Sequence, residues 1–301
     1  IKKGNGILRE RNAVKYAWIS TEKNNFNVKT MCRLFKVSRS SYYACLHQAG
    51  MGIRAQENAE LSAQIKSIFF AHKCRYGSRR IRETLLQNGY AISRRRVCRL
   101  MKAQALYCKT KRKFRMTTDS NHKSPIADNI LNRKFSQREA DKAYVGDITY
   151  IDTQEGWLYL STVIDLFSRK VVGWAMDGNM KAALVNDALQ MAVKQRQPQT
   201  GLIWHTDRGS QYASQSHRNI IKSHGIIQSM SRKGNCWDNS VAESFFHTLK
   251  TELTHHERFE TREQAKVAIF EYIETYYNRK RMHSANDYLS PVEFEAAHRA
   301  A

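Results

Sequence analysis

The chain has 301 residues, and with 42% apolar residues and three prolines its composition excludes a disordered chain and allows two or three domains. Its 50 Lys and Arg residues against 27 Asp and Glu residues give a net charge of +23, which favours a polyanionic partner. No segment approaches the roughly 18 apolar residues of a membrane span and no signal sequence opens the chain, so we expect a cytoplasmic protein without a membrane partner.

The excess positive charge lies in the N-terminal part of the chain. Residues 1–136 contain 30 basic and 7 acidic residues, whereas residues 137–301 contain 20 of each. A solvated surface does not need this asymmetry, but a surface that contacts the phosphates of a nucleic acid does. The six cysteines are scattered and form no CxxC pair, which argues against a zinc knuckle and against a disulfide scaffold.

Residues 27–46 have the pattern of a helix, a short turn and a second helix. The helical spacing of apolar residues breaks just before Ser38, which is a suitable N-cap for the second helix. In a helix–turn–helix domain, which we place at residues 1–50, the first turn of that second helix faces a DNA groove. The predicted DNA contacts are Arg39, Ser40 and Tyr42.

A second helical region follows at residues 51–108. Amphipathic patterns predict helices over 56–71, 78–90 and 93–106, the last with Ser93 as its N-cap. A helical bundle with a solvated basic face also fits these patterns, but the charge asymmetry favours a second helix–turn–helix. Its predicted DNA contacts lie in the first turn of the last helix and are Arg94, Arg95 and Arg96.

Residues 109–140 have the composition of a basic linker between two domains. The segment KTKRKFR at 109–115 carries five positive charges in seven residues, and a polar stretch follows it. We expect this linker to lie on DNA phosphates through its basic side chains, which are Lys109, Lys111, Arg112, Lys113 and Arg115.

The pattern changes to β-structure in the last predicted domain, residues 141–301. Runs of β-branched and aromatic residues predict strands over 143–151, 157–166, 170–176, 202–207 and 226–230. Helical patterns predict helices over 180–196 and 214–224, and a long helix from about residue 238. Three strands in hairpin order followed by alternating helices and strands indicate an α/β domain, with a mixed sheet that has helices packed on its faces.

Three carboxylates lie where these predicted elements can bring them together. Asp147 interrupts the apolar strand AYVGDITYI, Asp207 closes the fourth strand in HTDRGSQY, and Glu243 lies in the long helix. Such groups repel one another unless cations neutralise them, and Mg²⁺ and Mn²⁺ prefer oxygen ligands. We expect two ions, because a pair about 3.5–4 Å apart can hold the attacking and leaving oxygens of a phosphodiester.

The long helix carries further polar residues beside the predicted metal ligand. Asn239, His247 and Lys250 lie on the same helical face as Glu243. A solvated face on an amphipathic helix is the ordinary interpretation of such a pattern. Next to a phosphodiester site, however, an amide and a cation favour contact with DNA, so Asn239 and Lys250 are predicted DNA contacts.

Other polar and aromatic residues in this domain have structural interpretations. Asp152 points to the opposite face of its strand from Asp147, because it lies an odd number of positions away. We expect a turn former, an N-cap and a core aromatic at Asp165, Asp238 and Trp237, respectively. His205 fits packing at the end of a strand and support of a metal ligand equally well.

These motifs resemble the D,D-35-E catalytic core of insertion-sequence transposases, closest to IS family three and its integrase-core relatives. The segments GDITYI, HTDRGSQY and WDNSVAESFFHTLK occur in this order, with 35 residues between Asp207 and Glu243 and with Lys250 seven positions after Glu243. The resemblance extends to the N-terminal helical segments and to YYNRKRMHSANDYLSPVEFE, so it spans nearly the whole chain.

The resemblance implies an RNase H-like fold and a metal-dependent DNA transposase. It implies that Asp147, Asp207 and Glu243 are the metal ligands and that Lys250 contacts the transposon end. Such enzymes nick the 3′ ends of the element and use the 3′-OH to attack DNA. The implied partners are the terminal inverted repeats and the target DNA, held by a dimer or a larger assembly.

The resemblance also bears on where the chain begins. Members of this family often make the active enzyme by translational frameshifting, which fuses an upstream reading frame to this one. The first residue is Ile1 rather than Met, so we expect a trimmed chain or part of such a fusion, with the upstream-frame protein as a further partner.

Two alternatives remain open beside the transposase. The first is an RNase H-like nuclease that only hydrolyses DNA, and the second is a non-catalytic DNA-binding regulator. A regulator has no need of three carboxylates together, and a nuclease has less need of a basic arm that reads specific ends.

Overall fold

The structure is a computed structural model that describes residues 10–109 and 125–299 of the chain. The chain folds into two compact units that divide between Tyr107 and Cys108. None of the helices within the described ranges is both long enough and apolar enough to cross a membrane.

The N-terminal unit is all-helical, as predicted. The N-caps predicted at Ser38 and Ser93 are confirmed, because their hydroxyls accept hydrogen bonds from the N–H groups of Ser41 and Arg96. Five apolar residues form the core between the first three helices, namely Ile19, Met31, Cys32, Phe35 and Tyr42. The helices are α1 (Asn12–Glu22), α2 (Val28–Leu34), α3 (Arg39–Ala71), α4 (Ser78–Gln87) and α5 (Arg94–Ala103).

Helix α3 is a single helix of 33 residues where two helices were predicted. Gly50 and Gly52 weaken its middle, at about 1 kcal/mol each relative to alanine, but no proline ends it there. Its C-terminal half buries Leu61 and Ile65, and α3 packs against both α4 and α5. The domain boundary predicted between residues 50 and 51 therefore lies inside a continuous helix.

The second unit contains a mixed sheet of five strands in the order β3-β2-β1-β4-β5. The pairs β1–β2 and β2–β3 are antiparallel, and the pairs β1–β4 and β4–β5 are parallel. All five predicted strands are confirmed to within a residue at each end, and they are β1 (Ala143–Ile151), β2 (Leu158–Asp165), β3 (Val171–Asp177), β4 (Ile203–Thr206) and β5 (Ile227–Met230).

Helices cover both faces of this sheet, as predicted. The backbone of Gly173 in β3 contacts α6 so closely that a Cβ there would lie 2.3 Å from the Ala188 carbonyl oxygen. The next residue, Trp174, points to the other face, where its indole N–H donates to Glu274. The helices are α6 (Ala182–Arg196), α7 (Gln215–Ser223), α8 (Ser240–Leu249), α9 (Arg262–Phe270) and α10 (Pro291–Arg299), with π-helical segments at Lys250–Thr254 and Glu271–Tyr277.

The described part of the predicted linker, residues 125–140, packs on the sheet domain. The N–H groups of Ile130 and Leu131 both donate to the Ser229 hydroxyl in β5, and Leu131 is buried. The apolar residues of the segment ADNILNRKF explain this, because they need a core to cover them. Only the basic stretch before residue 125 keeps the composition of a free linker, and residues 110–124 lie outside the described part of the chain.

Candidate active site

Asp147 lies in the middle of β1, the central strand of the sheet. The parallel register of β1 and β4 pairs Val145 with His205. Extending this register by two residues sets Asp207, which follows β4, beside Asp147 and on the same face. Neighbouring strands lie about 4.8 Å apart, so the sheet brings two of the predicted carboxylates together.

Gly146 allows a tryptophan to pack beneath the backbone that carries Asp147. A Cβ at position 146 would lie 2.1 Å from the Cη2 atom of Trp204, which is far inside contact distance. The Trp204 ring is fully buried, and its indole N–H donates to His217 Nε2 at 2.9 Å. The strand therefore rests on a fixed aromatic ring immediately before the first carboxylate.

Backbone N–H groups orient both carboxylates of the sheet. Asp147 Oδ1 accepts a hydrogen bond from the Ile148 N–H at 2.8 Å, and Asp207 Oδ1 accepts one from the Gly209 N–H at 2.9 Å. Both side chains are partly exposed. Each carboxylate thus keeps lone pairs that can face a ligand.

Glu243 comes to this site on the first turn of α8. Helix α8 packs against β1 and buries its apolar stripe, as predicted, whereas Glu243 on the other side is only partly buried. The helix follows a 3-10 turn, Cys236–Asn239, whose last residue donates from its side-chain amide to the Gly146 carbonyl at 3.2 Å. The buried residues of the helix are Ala242, Phe245, Phe246 and Leu249.

The three carboxyl groups lie close enough to influence one another's protonation. Burial raises the pKa of Asp147 well above its ordinary value, and the neighbouring Asp207 and Glu243 raise it further. Burial and the charge of Asp207 also raise the pKa of Glu243. Mutual repulsion in a partly desolvated site is therefore a property of this arrangement.

Such a donor set fits Mg²⁺ or Mn²⁺, which bind carboxylate oxygens and would relieve this repulsion. Asp147 and Asp207 stand on the sheet and Glu243 stands on a helix packed against it. Within the described ranges, no group of three or more His, Cys, Asp or Glu side chains is already arranged to hold a metal ion. Binding would therefore require the three side chains to converge.

Lys250 lies near Asp147, at the first residue of the π-helical segment. Its Nζ atom is 4.7 Å from the centre of the Tyr150 ring. Burial lowers the pKa of Lys250, and the charge of Asp147 opposes this shift. A cation therefore lies near Asp147, and it packs over the Tyr150 ring.

The π-helical segment that begins with Lys250 is fixed by a buried ion pair. Arg281 donates to both carboxylate oxygens of Glu252, with an Nη2–Oε1 distance of 2.8 Å, and the Tyr272 hydroxyl donates to the same carboxylate. Glu252 and Arg281 are both about 5% exposed or less. This pair anchors the backbone two residues from Lys250.

Tyr212 is a residue of the site that sequence reasoning missed. It is fully buried, and its pKa is raised well above the ordinary value by burial and by the charges of Asp147 and Asp207. It belongs to the motif HTDRGSQY, in which a role in the site is predicted only for Asp207. Its position after a glycine and a serine resembles an exposed loop, and so nothing in the local pattern indicated burial.

Two residues near α8 differ from their predicted roles. Trp237 was predicted to pack in the core, but its side chain is 69% exposed, because it lies on the outer side of the 3-10 turn. Asp238 was predicted to cap the helix, but its buried carboxylate instead pairs with Arg232 and Arg133, at 2.8 and 2.7 Å. Asn239 is the residue that precedes the helix.

The other three residues with structural interpretations are Asp152, which is exposed just after β1, Asp165 and His205. Asp165 accepts hydrogen bonds from Ser168 in the turn between β2 and β3. His205 is fully buried between two serines, with Nδ1 2.8 Å from the Ser229 hydroxyl and Nε2 3.2 Å from the Ser231 hydroxyl. Burial lowers the pKa of His205 to about 4, so the ring is neutral at pH 7.

The predicted DNA contacts of the N-terminal unit have different surroundings. Tyr42 is only 1% exposed and belongs to the core, which corrects its predicted groove contact. Arg96 is held by Glu57 and Asn58, both at 2.9 Å, and Arg94 bonds to the Ser78 hydroxyl. The exposed or partly exposed predictions that remain are Arg39, Ser40, Arg94, Arg95, Arg96 and Lys109, whereas Lys111, Arg112, Lys113 and Arg115 lie outside the described residues.

Comparison with known families assigns both units. Residues 137–236 and residues 243–298 match two family models that are each described as an integrase core domain. Residues 55–114 match a model described as an HTH-like domain. The two core matches contain Asp147, Asp207 and Glu243.

Solved structures of integrases also align with this chain at low sequence identity. A simian T-cell lymphotropic virus intasome in complex with the PP2A regulatory subunit B56 gamma aligns with a TM-score of 0.44 at 16% identity, over 77% of this chain and 74% of that chain. The catalytic core domain of BIV integrase aligns with a TM-score of 0.41 at 17% identity, over 53% of this chain and 97% of that chain.

Full-length relatives from bacteria are much closer in sequence. The insertion element IS600 uncharacterized 31 kDa protein of Shigella sonnei is 45% identical over 264 residues, which cover 88% of this chain and 97% of that protein. The transposase InsF for insertion sequence IS3A of Escherichia coli strain K12 is 41% identical over 283 residues, which cover 94% of this chain and 98% of that protein. The chain therefore belongs to the IS3 family of bacterial insertion-sequence transposases, which join an HTH-like region to an integrase core.

Proposed function

We propose that Asp147, Asp207 and Glu243 are the catalytic metal ligands of this transposase and that they bind two Mg²⁺ or Mn²⁺ ions. The observation that carries the proposal is the placement of three carboxyl groups, on β1, after β4 and on α8, near enough that the charge of Asp207 raises the pKa of both Asp147 and Glu243. A structural carboxylate normally has a cationic or hydrogen-bonding partner, as Asp238 has. The charged neighbours of Asp147 are Asp207, Glu243 and Lys250, and the charged neighbour of Glu243 is Asp207.

Metal ions bound here would supply Lewis-acid stabilisation of the phosphodiester and activation of the attacking oxygen. The protein contributes orientation. The Ile148 and Gly209 N–H groups fix one oxygen of each aspartate, and α8 holds the glutamate against β1. Rigid placement of this kind is what a catalytic site of high precision requires.

Lys250 is the proposed contact to the DNA phosphates nearest the reacting bond. Its ammonium group stacks on Tyr150 and lies in the field of Asp147. The ring and the packed helix restrict the side chain, so that less conformational entropy is lost when a phosphate binds.

The N-terminal unit is the proposed reader of the element ends. Its basic side chains include exposed residues at the start of α3 and α5, such as Arg39 and Arg95. The basic stretch that contains Lys109, Lys111, Arg112, Lys113 and Arg115 would add phosphate contacts between the two units. Two ends must be held together for transfer, which favours a dimer or larger assembly on DNA in the bacterial cytoplasm, with the upstream-frame protein as an additional subunit.

A strand-transfer assay tests the proposal. A labelled duplex with the element end is incubated with protein in Mg²⁺ or in EDTA. We expect nicked and joined products only with metal, and their loss in Glu243→Gln. The matched control is Glu257→Gln, which changes an exposed glutamate and leaves activity unchanged. Equal activity of wild type and Glu243→Gln would refute the assignment, and nicking without joining would indicate a nuclease.

A further inference from the structure

The side-chain amide of Asn239 has an orientation that the backbone dictates. Its Nδ2 atom donates to the Gly146 carbonyl oxygen at 3.2 Å. A carbonyl oxygen can only accept, so the nitrogen of the amide must face it and Oδ1 must face away. Asn239 is 4% exposed, and it lies next to the residue before Asp147 and one helical turn before Glu243.

The side-chain oxygen of Asn239, which faces away from the Gly146 carbonyl, has no hydrogen-bond partner among the described residues. Asn239 Oδ1 is buried and makes no hydrogen bond with any described residue. The same is true of the hydroxyl oxygen of Thr162, which is fully buried and pairs directly with Asp147 across the β1–β2 ladder. Buried polar atoms are rarely left unpaired in native proteins, so one such atom on the residue that contacts Gly146 and another on the cross-strand partner of Asp147 point to a ligand in this region.

The chemistry of the free atom restricts what that ligand is. An amide oxygen is an acceptor, so it cannot bond to a DNA phosphate, which has no proton to donate at neutral pH. It can bind a cation or accept a hydrogen bond from a water molecule on a cation. Mg²⁺ and Mn²⁺ accept carbonyl oxygens and keep several waters in protein sites.

We propose that Asn239 is a positioning residue for the metal site: its Oδ1 binds the cation at Asp147 and Glu243 or a water molecule on that cation. The inference rests on the proposed function, because it uses the same carboxylates as ligands. It gives Asn239 a different role from the predicted DNA contact. The bond from Nδ2 to Gly146 holds the side chain in the turn before α8.

Binding of Mn²⁺ to the full chain, without DNA, measures this role directly. Titration followed by electron paramagnetic resonance gives the dissociation constant. We expect Asn239→Leu, which keeps the branching at Cγ and loses both polar atoms, to weaken Mn²⁺ binding about tenfold. We expect Asn239→Asp to bind Mn²⁺ at least as tightly as wild type, because it keeps an oxygen and adds a charge. Asn219→Leu, at an exposed position on α7, is the control with no effect.

The two variants separate metal binding from a purely structural role. An aspartate cannot donate to the Gly146 carbonyl, so a residue that only anchors the turn would lose Mn²⁺ affinity in both variants. Weaker binding in Asn239→Asp than in wild type therefore overturns the inference, and this holds even if Asn239→Leu does not fold. Unchanged Mn²⁺ binding in Asn239→Leu overturns the inference as well. If that variant also binds an end duplex more weakly in EDTA, the amide oxygen of Asn239 accepts from an amino group of a DNA base instead.

Asp147→Asn distinguishes this inference from the proposed function. If Asp147→Asn abolishes Mn²⁺ binding while Asn239→Leu does not change it, the metal site stands and only the role of Asn239 is refuted. If Asp147→Asn leaves Mn²⁺ binding unchanged, the proposed metal site is refuted, and the inference is refuted with it.

Discussion

Gly146→Ala is expected to damage the active site through a steric contact rather than through any change in charge. The added Cβ would lie 2.1 Å from Trp204 Cη2, whereas ordinary contact begins near 3.4 Å, so the ring or the strand must move by about 1.3 Å. The ring is fully buried and hydrogen-bonded to His217, so its movement is restricted. Overpacking of this kind costs about 1–3 kcal/mol.

Both the stability and the activity of Gly146→Ala should be lower than those of the wild type. For a domain of this size, each kcal/mol lowers Tm by roughly 2–4 °C, which circular dichroism detects. Metal-dependent nicking should also fall, because a displaced strand moves Asp147. Trp204→Phe removes the ring carbons that the new methyl group would meet, so Gly146→Ala should cost at least about 1 kcal/mol less in that background. Equal costs in both backgrounds would refute the reasoning.

Three further predictions concern charge. Arg281→Met leaves Glu252 buried without its partner and should lower the free energy of unfolding in urea by about 3–5 kcal/mol. The loss should be smaller when Glu252→Gln is added, whereas additive losses would mean that the two residues are not coupled. Asp147→Asn should abolish strand transfer and leave binding of the end duplex nearly unchanged in a gel-shift assay, with Asp152→Asn active; equal losses of binding and transfer would contradict the catalytic role. Burial lowers the pKa of His217 from 6.5 to about 4. Between these pH values the unfolded chain binds a proton at His217 that the folded chain does not bind. The contribution of His217 to stability is therefore full above pH 6.5 and falls towards pH 4, by up to about 3 kcal/mol. Tm measured from pH 7 to 4.5 should therefore fall less steeply in His217→Gln, and parallel curves would exclude this contribution.

The sheet and its carboxylates could be predicted because each rests on a local signal. Strands such as AYVGDITYI combine β-branched and aromatic residues over a short run, and an aspartate inside such a run is conspicuous. The parallel register that pairs β1 with β4, and so sets Asp207 beside Asp147, depends on contacts between distant segments. Sequence spacing could suggest that the residues meet, but only the sheet order shows how.

The errors in prediction share a physical cause. The break predicted near residue 50 is absent, because the packing of α3 on α4 and α5 offsets the cost of the glycines there. Tyr42 and Trp237 exchanged their expected environments, because burial of an aromatic residue depends on which neighbours cover it. The ion pair between Asp238 and Arg133 joins residues 105 positions apart, and no local pattern reveals such a partner.

The order of the elements along the chain has a consequence for synthesis. The N-terminal unit ends at Tyr107, whereas the proposed metal site lacks Glu243 until α8 has been made. If the N-terminal unit reads the element ends as proposed, a polypeptide that ends between residues 108 and 242 would occupy those ends without cutting them. Premature termination or proteolysis in this interval would thus turn the enzyme into its own competitor and would lower the mobility of the element in proportion to the abundance of the fragment.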